Sequence, residues 1–168
     1  AYAYQDPKWF MRAQSFITKE LGEALRRTNP QASGILQFSQ ATWFSDVYDA
    51  GTIKPNRTFY AMKKVLQPVL VSAELWGRHF YAGTSLPTRI CIVNDQTNGG
   101  DLQNITMKWQ LLDANGRAFQ EGSEKIGNVP YYGRAWVDPK ISIPSRLRVP
   151  KVNGRLALSL YQGGDLIS

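Results

Sequence analysis

The hydrophobic period of this chain changes once, at Pro68, and that switch limits what it can fold into more than any other feature. From Asp6 to Asn29 the apolar residues Phe10, Ala13, Ile17, Leu21, Ala24 and Leu25 recur at three- and four-residue steps, the spacing of one face of an α-helix. Asp6-Pro7 supplies an N-cap and a first-turn proline, and Asn29-Pro30 a stop. The pattern predicts a helix with that face inward and Arg12, Lys19, Glu20, Glu23 and Arg26 on a solvated surface. Gly34 to Ser39 suits a buried strand, Trp43 to Pro55 a long loop, and Arg57 to Leu66 a second helix ended by Pro68. In that helix Phe59, Met62, Val65 and Leu66 are expected inward, and Lys63 and Lys64 outward.

Beyond Pro68 the period is two. Ile105, Met107, Trp109 and Leu111 alternate with polar residues, and Asp113-Ala114-Asn115-Gly116 turns the chain toward Arg117 to Glu121, a β-hairpin signature. Further strands are expected at Val69 to Leu75, Thr88 to Asn94, Ala135 to Val137 and Leu156 to Tyr161, and Gly163 to Ser168 reads as a turn into one more. Short strands separated by regular turns over about 100 residues argue for an antiparallel sandwich of immunoglobulin-like type. No Cys-Trp-Cys signature accompanies them, so an antibody-type domain is not expected.

Composition narrows the chemistry. The 168 residues carry 20 Lys+Arg against 13 Asp+Glu, a net charge of +7, with 43% hydrophobic residues, a globular balance. The longest apolar runs, such as Val69-Leu70-Val71, fall far short of the ~20 residues that span a bilayer, so no membrane partner is expected. One cysteine, Cys91, and one histidine, His79, cannot assemble the usual metal or Cys/His catalytic sets, so neither cofactor nor metal is expected. His79 reads as a surface residue. The basic residues are scattered, with Arg26-Arg27 and Lys63-Lys64 the adjacent pairs outside any nucleic-acid motif, which argues against nucleic acid as partner. The chain opens on Ala1-Tyr2-Ala3-Tyr4 without Met, so a mature form or a piece of something longer is expected, periplasmic or secreted rather than cytoplasmic.

The run Lys54-Pro55-Asn56-Arg57-Thr58-Phe59-Tyr60-Ala61-Met62-Lys63, followed by Gln67-Pro68-Val69-Leu70-Val71-Ser72, resembles glycoside hydrolase family 2, closest to its β-mannosidase and β-galactosidase-like members. The resemblance covers about residues 8–75. It implies an α+β fragment: residues 1–67 the last strand and helices of a catalytic (β/α)8 barrel, and 68–168 an immunoglobulin-like β-sandwich. It implies retaining hydrolysis of a terminal β-glycoside by two glutamates about 5 Å apart. In the family both lie on earlier barrel strands, which would be upstream of Ala1, so this chain alone is expected to be inactive.

The same resemblance suggests where sugar would be touched. Phe38 falls where many members have a barrel-floor Trp, Trp43-Phe44 near a second family aromatic, and Asp46 and Asp49 share the following loop. Sugar rings present apolar C–H faces to aromatics, so Trp43, Phe38 and Asp46 are the candidate substrate-binding residues. Where the family often has an amide and an acid, this chain has Ser39-Gln40-Ala41-Thr42. The remaining tryptophans, Trp9, Trp76, Trp109 and Trp136, are expected in cores. A barrel strand without its barrel would expose Ile35, Leu36 and Phe38, and a homodimer through that surface is a further expectation. The alternative from another class is a non-catalytic accessory module that binds carbohydrate or protein.

Overall fold

The computed structural model describes residues 7–32, 34–35, 40–146 and 151–168. The chain divides into two compact units, Ala1–Gln67 and Pro68–Ser168.

In the first unit, α1 (Pro7–Thr28) and α2 (Arg57–Val65) lie side by side and parallel. Ser15 Oγ donates to the Arg57 carbonyl at 3.1 Å at the start of α2, while Arg26 reaches the Val65 carbonyl in its last turn and the Gln67 carbonyl just past its end. Between those points Gly22 permits close approach, since a Cβ there would stand 2.7 Å from Val65 Cγ1. The contact inverts the expected burial of α1. Glu23, Arg26 and Arg27 are buried, whereas Phe10, Ile17, Leu21 and Leu25 remain 53%, 55%, 61% and 45% exposed. Periodicity reveals which residues share a face but not which face is covered. Here the polar face is the one that can be neutralised: Glu23 takes Lys19 at 2.5 Å and Arg27 at 3.8 Å, and Arg26 is held by backbone oxygens.

The segment expected as a loop is partly ordered. A 3-10 turn at Gln40–Trp43 leads into an antiparallel pair of two-residue strands, β1 (Phe44–Ser45) and β2 (Lys54–Pro55). Asn56 caps α2 by accepting from the Thr58 amide at 2.8 Å, satisfying a donor left open in the first turn.

The second unit contains a three-stranded antiparallel sheet, β3 (Val69–Leu75), β4 (Thr88–Asn94) and β7 (Arg134–Val137), in the order β3-β4-β7. It also has a four-stranded one, ordered β6-β5-β8-β9, from β5 (Leu102–Leu112), β6 (Ala118–Val129), β8 (Arg155–Gln162) and β9 (Asp165–Leu166). Apolar residues of both sheets enter one core, among them Val69, Ile90 and Ile92 from the first and Ile105, Met107, Trp109 and Leu160 from the second. Register brings Met107, Trp109 and Leu111 opposite Leu160, Leu158 and Leu156, so the alternating side chains of β5 and β8 share a face. A bulge at Asn104, whose φ is 54°, lets Leu102 and Ile105 both point inward despite their odd spacing. On the other face of the smaller sheet, Leu70, Cys91 and Val93 form a second buried cluster against Trp136.

The barrel-piece expectation does not hold. Among the described residues there are two α-helices and sheets paired only antiparallel, with no parallel strand and no helix-covered barrel sheet. Gly34 and Ile35 lie in no strand, and the expected strand residues Leu36 to Ser39 lie outside the described residues. A barrel strand needs hydrogen-bonded neighbours on both sides. A short apolar run signals burial without saying which backbone will pair with it, so the local pattern could not discriminate. The described helices pack on each other instead.

Candidate functional site

Of the three candidate sugar contacts, Phe38 lies outside the described residues. Trp43 ends the 3-10 turn half-buried, with its indole N–H shielded from solvent and without a hydrogen-bond partner among the described residues. Asn56 holds that turn in place, donating from Nδ2 to the Thr42 carbonyl at 2.7 Å and from its amide to the Trp43 carbonyl at 2.8 Å. Asp46 is exposed just past β1, in the left-handed region with φ 57°. No hydrogen bond joins Asp46 to Trp43. Asp49 shapes the loop, its Oδ1 accepting from the Gly51 amide at 2.9 Å and its carbonyl from Thr52 Oγ1 at 3.1 Å. The hairpin therefore places Trp43 and Asp46 on one short segment.

Most described carboxylates have structural partners. Glu74 and Asp138 flank Arg89 at 3.9 and 3.2 Å, and Asp95 meets Arg134 at 3.6 Å. Asp113 receives the amides of Asn115 and Arg117 at 2.8 and 2.9 Å, and Glu121 accepts from Gln110 at 2.9 Å. No group of three His, Cys, Asp or Glu side chains is arranged for a metal ion among the described residues. Carboxylates tied to cations and turn amides hold loops and strands in place.

Two polar and aromatic clusters on the second unit were not anticipated. At one end of the sheets, buried Asn94 donates from Nδ2 to the Gly100 and Val129 carbonyls, both at 3.0 Å, tying the loop after β4 to the end of β6. Asp101 accepts from the Tyr131 amide at 2.8 Å, and Arg134 donates to the Tyr132 carbonyl at 2.7 Å. Tyr131 and Tyr132 meet edge to face, ring centroids 4.5 Å apart, with Tyr132 at φ 55°. The Tyr131 phenol is pushed above its ordinary value, first by desolvation, then by a hydrogen bond to Tyr132 and by the charges of Tyr132 and Asp95. Adjacent aromatics between Pro130 and Gly133 are the sequence signal for this turn. In the other cluster Arg89 lies 4.5 Å over the Trp136 ring, clamped by Glu74 and Asp138.

The tryptophans divide differently from expectation. Trp109 is buried and Trp136 half-buried, but Trp9 is exposed and Trp76 is 87% exposed, with Tyr81 at 86% in the same loop. His79 is also exposed there.

No family model and no curated protein matches this chain. Among solved structures it is similar to the sporulation control protein Spo0M of Bacillus subtilis, at 9% identity and TM-score 0.35 over 55% of this chain and 42% of that one. It is also similar to the alkylpurine DNA glycosylase AlkC of Pseudomonas fluorescens, solved on DNA containing an abasic-site analogue, at 13% identity and TM-score 0.35 over 99% of this chain and 48% of that one. The chain spans less than half the length of either. Neither likeness carries an inference about its fold or activity, and none of these comparisons supports the glycoside hydrolase resemblance.

Proposed function

We propose that this chain is a non-catalytic part of a β-glycoside hydrolase, meeting carbohydrate through the parent enzyme. The motif from Lys54 to Ser72 carries the proposal. Its support in the geometry is the engagement of Glu74, Asp95, Asp113 and Asp138 in structural pairs and turns, an arrangement that leaves the chemistry to residues elsewhere. The test has two arms. The purified chain should release no nitrophenol from nitrophenyl β-glycosides, and the reading frame that encodes it should carry two glutamates upstream whose removal abolishes hydrolysis by the longer protein. A frame without them, or turnover by the chain that disappears in Asp46→Asn or Asp49→Asn, overturns it.

A second reading, a carbohydrate-binding module in its own right, is favoured by Trp76 and Tyr81, which present nearly whole aromatic side chains to solvent, as sugar stacking requires. Retardation of the chain in gels containing β-glucan or β-mannan, lost in Trp76→Ala, supports it; unretarded migration in both polysaccharides rejects it.

A further inference from the structure

We infer that two copies of this chain associate through the apolar face of α1. At 3.6 residues per turn, Phe10, Ala13, Ile17, Leu21, Ala24 and Leu25 occupy a sector of about 120°, and no charged residue lies within it. Arg12, Lys19, Glu23, Arg26 and Arg27 fall on the opposite half, with Glu20 at the rim. That opposite half is the one α2 covers, through Gly22 against Val65 and through Arg26. The apolar half is left to solvent, since each of its four large residues is about half exposed.

A second copy is the occupant that this face fits. A stripe of this kind is self-complementary about a two-fold axis, the same patch serving both sides. With two α1 helices antiparallel, Phe10 of one approaches the second copy's Leu25, the two Ile17 side chains meet near the axis, and Leu21 of each lies against the Ala13 end of the other's stripe. Ala13 and Ala24 keep the flank low enough for the backbones to come close. Charge points the same way. A molecule of net charge +7 repels its copy at long range, so the faces that can meet are those without basic residues, and this one has none.

The area is sufficient for a reversible dimer. Half-exposed Phe, Ile and Leu side chains with the intervening small residues amount to roughly 500 Å² per copy, about 1,000 Å² in all, the lower limit for a specific interface. An interface of that size falls in the weak, reversible class.

Sedimentation velocity on the full chain tests this, from low to high micromolar concentration and at two salt levels. The expected result is a monomer–dimer equilibrium that tightens with salt, because salt screens the net repulsion while the contact itself is uncharged. Ile17→Lys and Leu21→Glu should each weaken it by at least about tenfold, since a charge would be buried, while Tyr81→Ser leaves it unchanged. These positions are exposed in the monomer, so circular dichroism should be unaltered. As a second measurement, Ile17→Cys, which meets its own counterpart at the axis, should cross-link to a covalent dimer under mild oxidation, Cys91 being buried. A monomer at every concentration, association that weakens with salt, indifference to both stripe variants, or failure of Ile17→Cys to cross-link overturns the inference.

Discussion

Arg26, buried near the end of α1, donates from Nη1 to the Gln67 carbonyl at 2.6 Å and from the same nitrogen to the Val65 carbonyl. A helix ends with carbonyls that have no intrahelical partner, and its C-terminus carries partial negative charge. One guanidinium answers both needs for α2, from a different helix. Arg26→Met should therefore cost about 2–3 kcal/mol of stability, the range for charge-assisted hydrogen bonds lost from a buried site. Arg26→Lys should recover only part, its ammonium being a point donor on a shorter reach. Urea denaturation of the three proteins reads the difference.

Gly22 and Val65 form a close pair within the same unit. Gly22→Val places a branched side chain where Val65 Cγ1 already stands, and should destabilise by about 1–3 kcal/mol despite better helix propensity. Combining it with Val65→Ala should restore space. The double-mutant cycle should then show a favourable coupling of at least about 0.5 kcal/mol, and additive single costs would refute the contact.

A second glycine has the same logic in a sheet. Gly122 pairs with Trp109 across β5 and β6, and a Cβ on it would lie 2.5 Å from Trp109 Cζ2. Gly122→Val should push the indole off its site at a cost of about 1–3 kcal/mol. Trp109 fluorescence should shift to longer wavelength as the ring gains water, and an unshifted spectrum would count against the packing described.

Asn94 is fully buried and bridges the Gly100 carbonyl, in the loop before β5, and the Val129 carbonyl at the end of β6. Removing its amide in Asn94→Ala leaves both carbonyls without that donor, at about 1–3 kcal/mol. Asn94→Asp should be worse, because it sets a second acceptor against them. Thermal midpoints should fall in the order wild type, Ala, Asp.

Tyr131 supplies a pH dependence at the alkaline end. Its phenol is raised from an ordinary value of about 10, so the folded state holds the proton more tightly than the unfolded one. The contribution to stability is fully present below that ordinary value and is lost as pH rises through the higher folded value. Phenolate absorbance should show one tyrosine titrating late, and Tyr132→Phe should move it back toward the ordinary value by removing the neighbour's hydrogen bond and charge. An identical titration in that variant would discard the assigned cause.

The amino-acid sequence by itself specified the helices, the principal strands and the switch of period at Pro68. Local spacing decides which side chains share a face, and proline and glycine decide where a helix or strand can stop. It also specified the alternation that puts Ile105, Met107, Trp109 and Leu111 on one side of β5. What only the tertiary structure decided was the partner of each face. Helix α1 is amphipathic whichever side is inside; Gly22, offering no side chain to Val65, and Arg26, reaching the end of α2, turned the polar side inward. Trp43 and Asp46 were legible as candidate sugar contacts from their place along the chain, but the tie that holds their turn, Asn56 to the Thr42 and Trp43 carbonyls, belongs to longer-range packing that spacing does not contain. The two-residue strands β1 and β2 were invisible for a similar reason: they are too short to establish a period, and exist because Asn56 ties the turn at Thr42 and Trp43 to the start of α2.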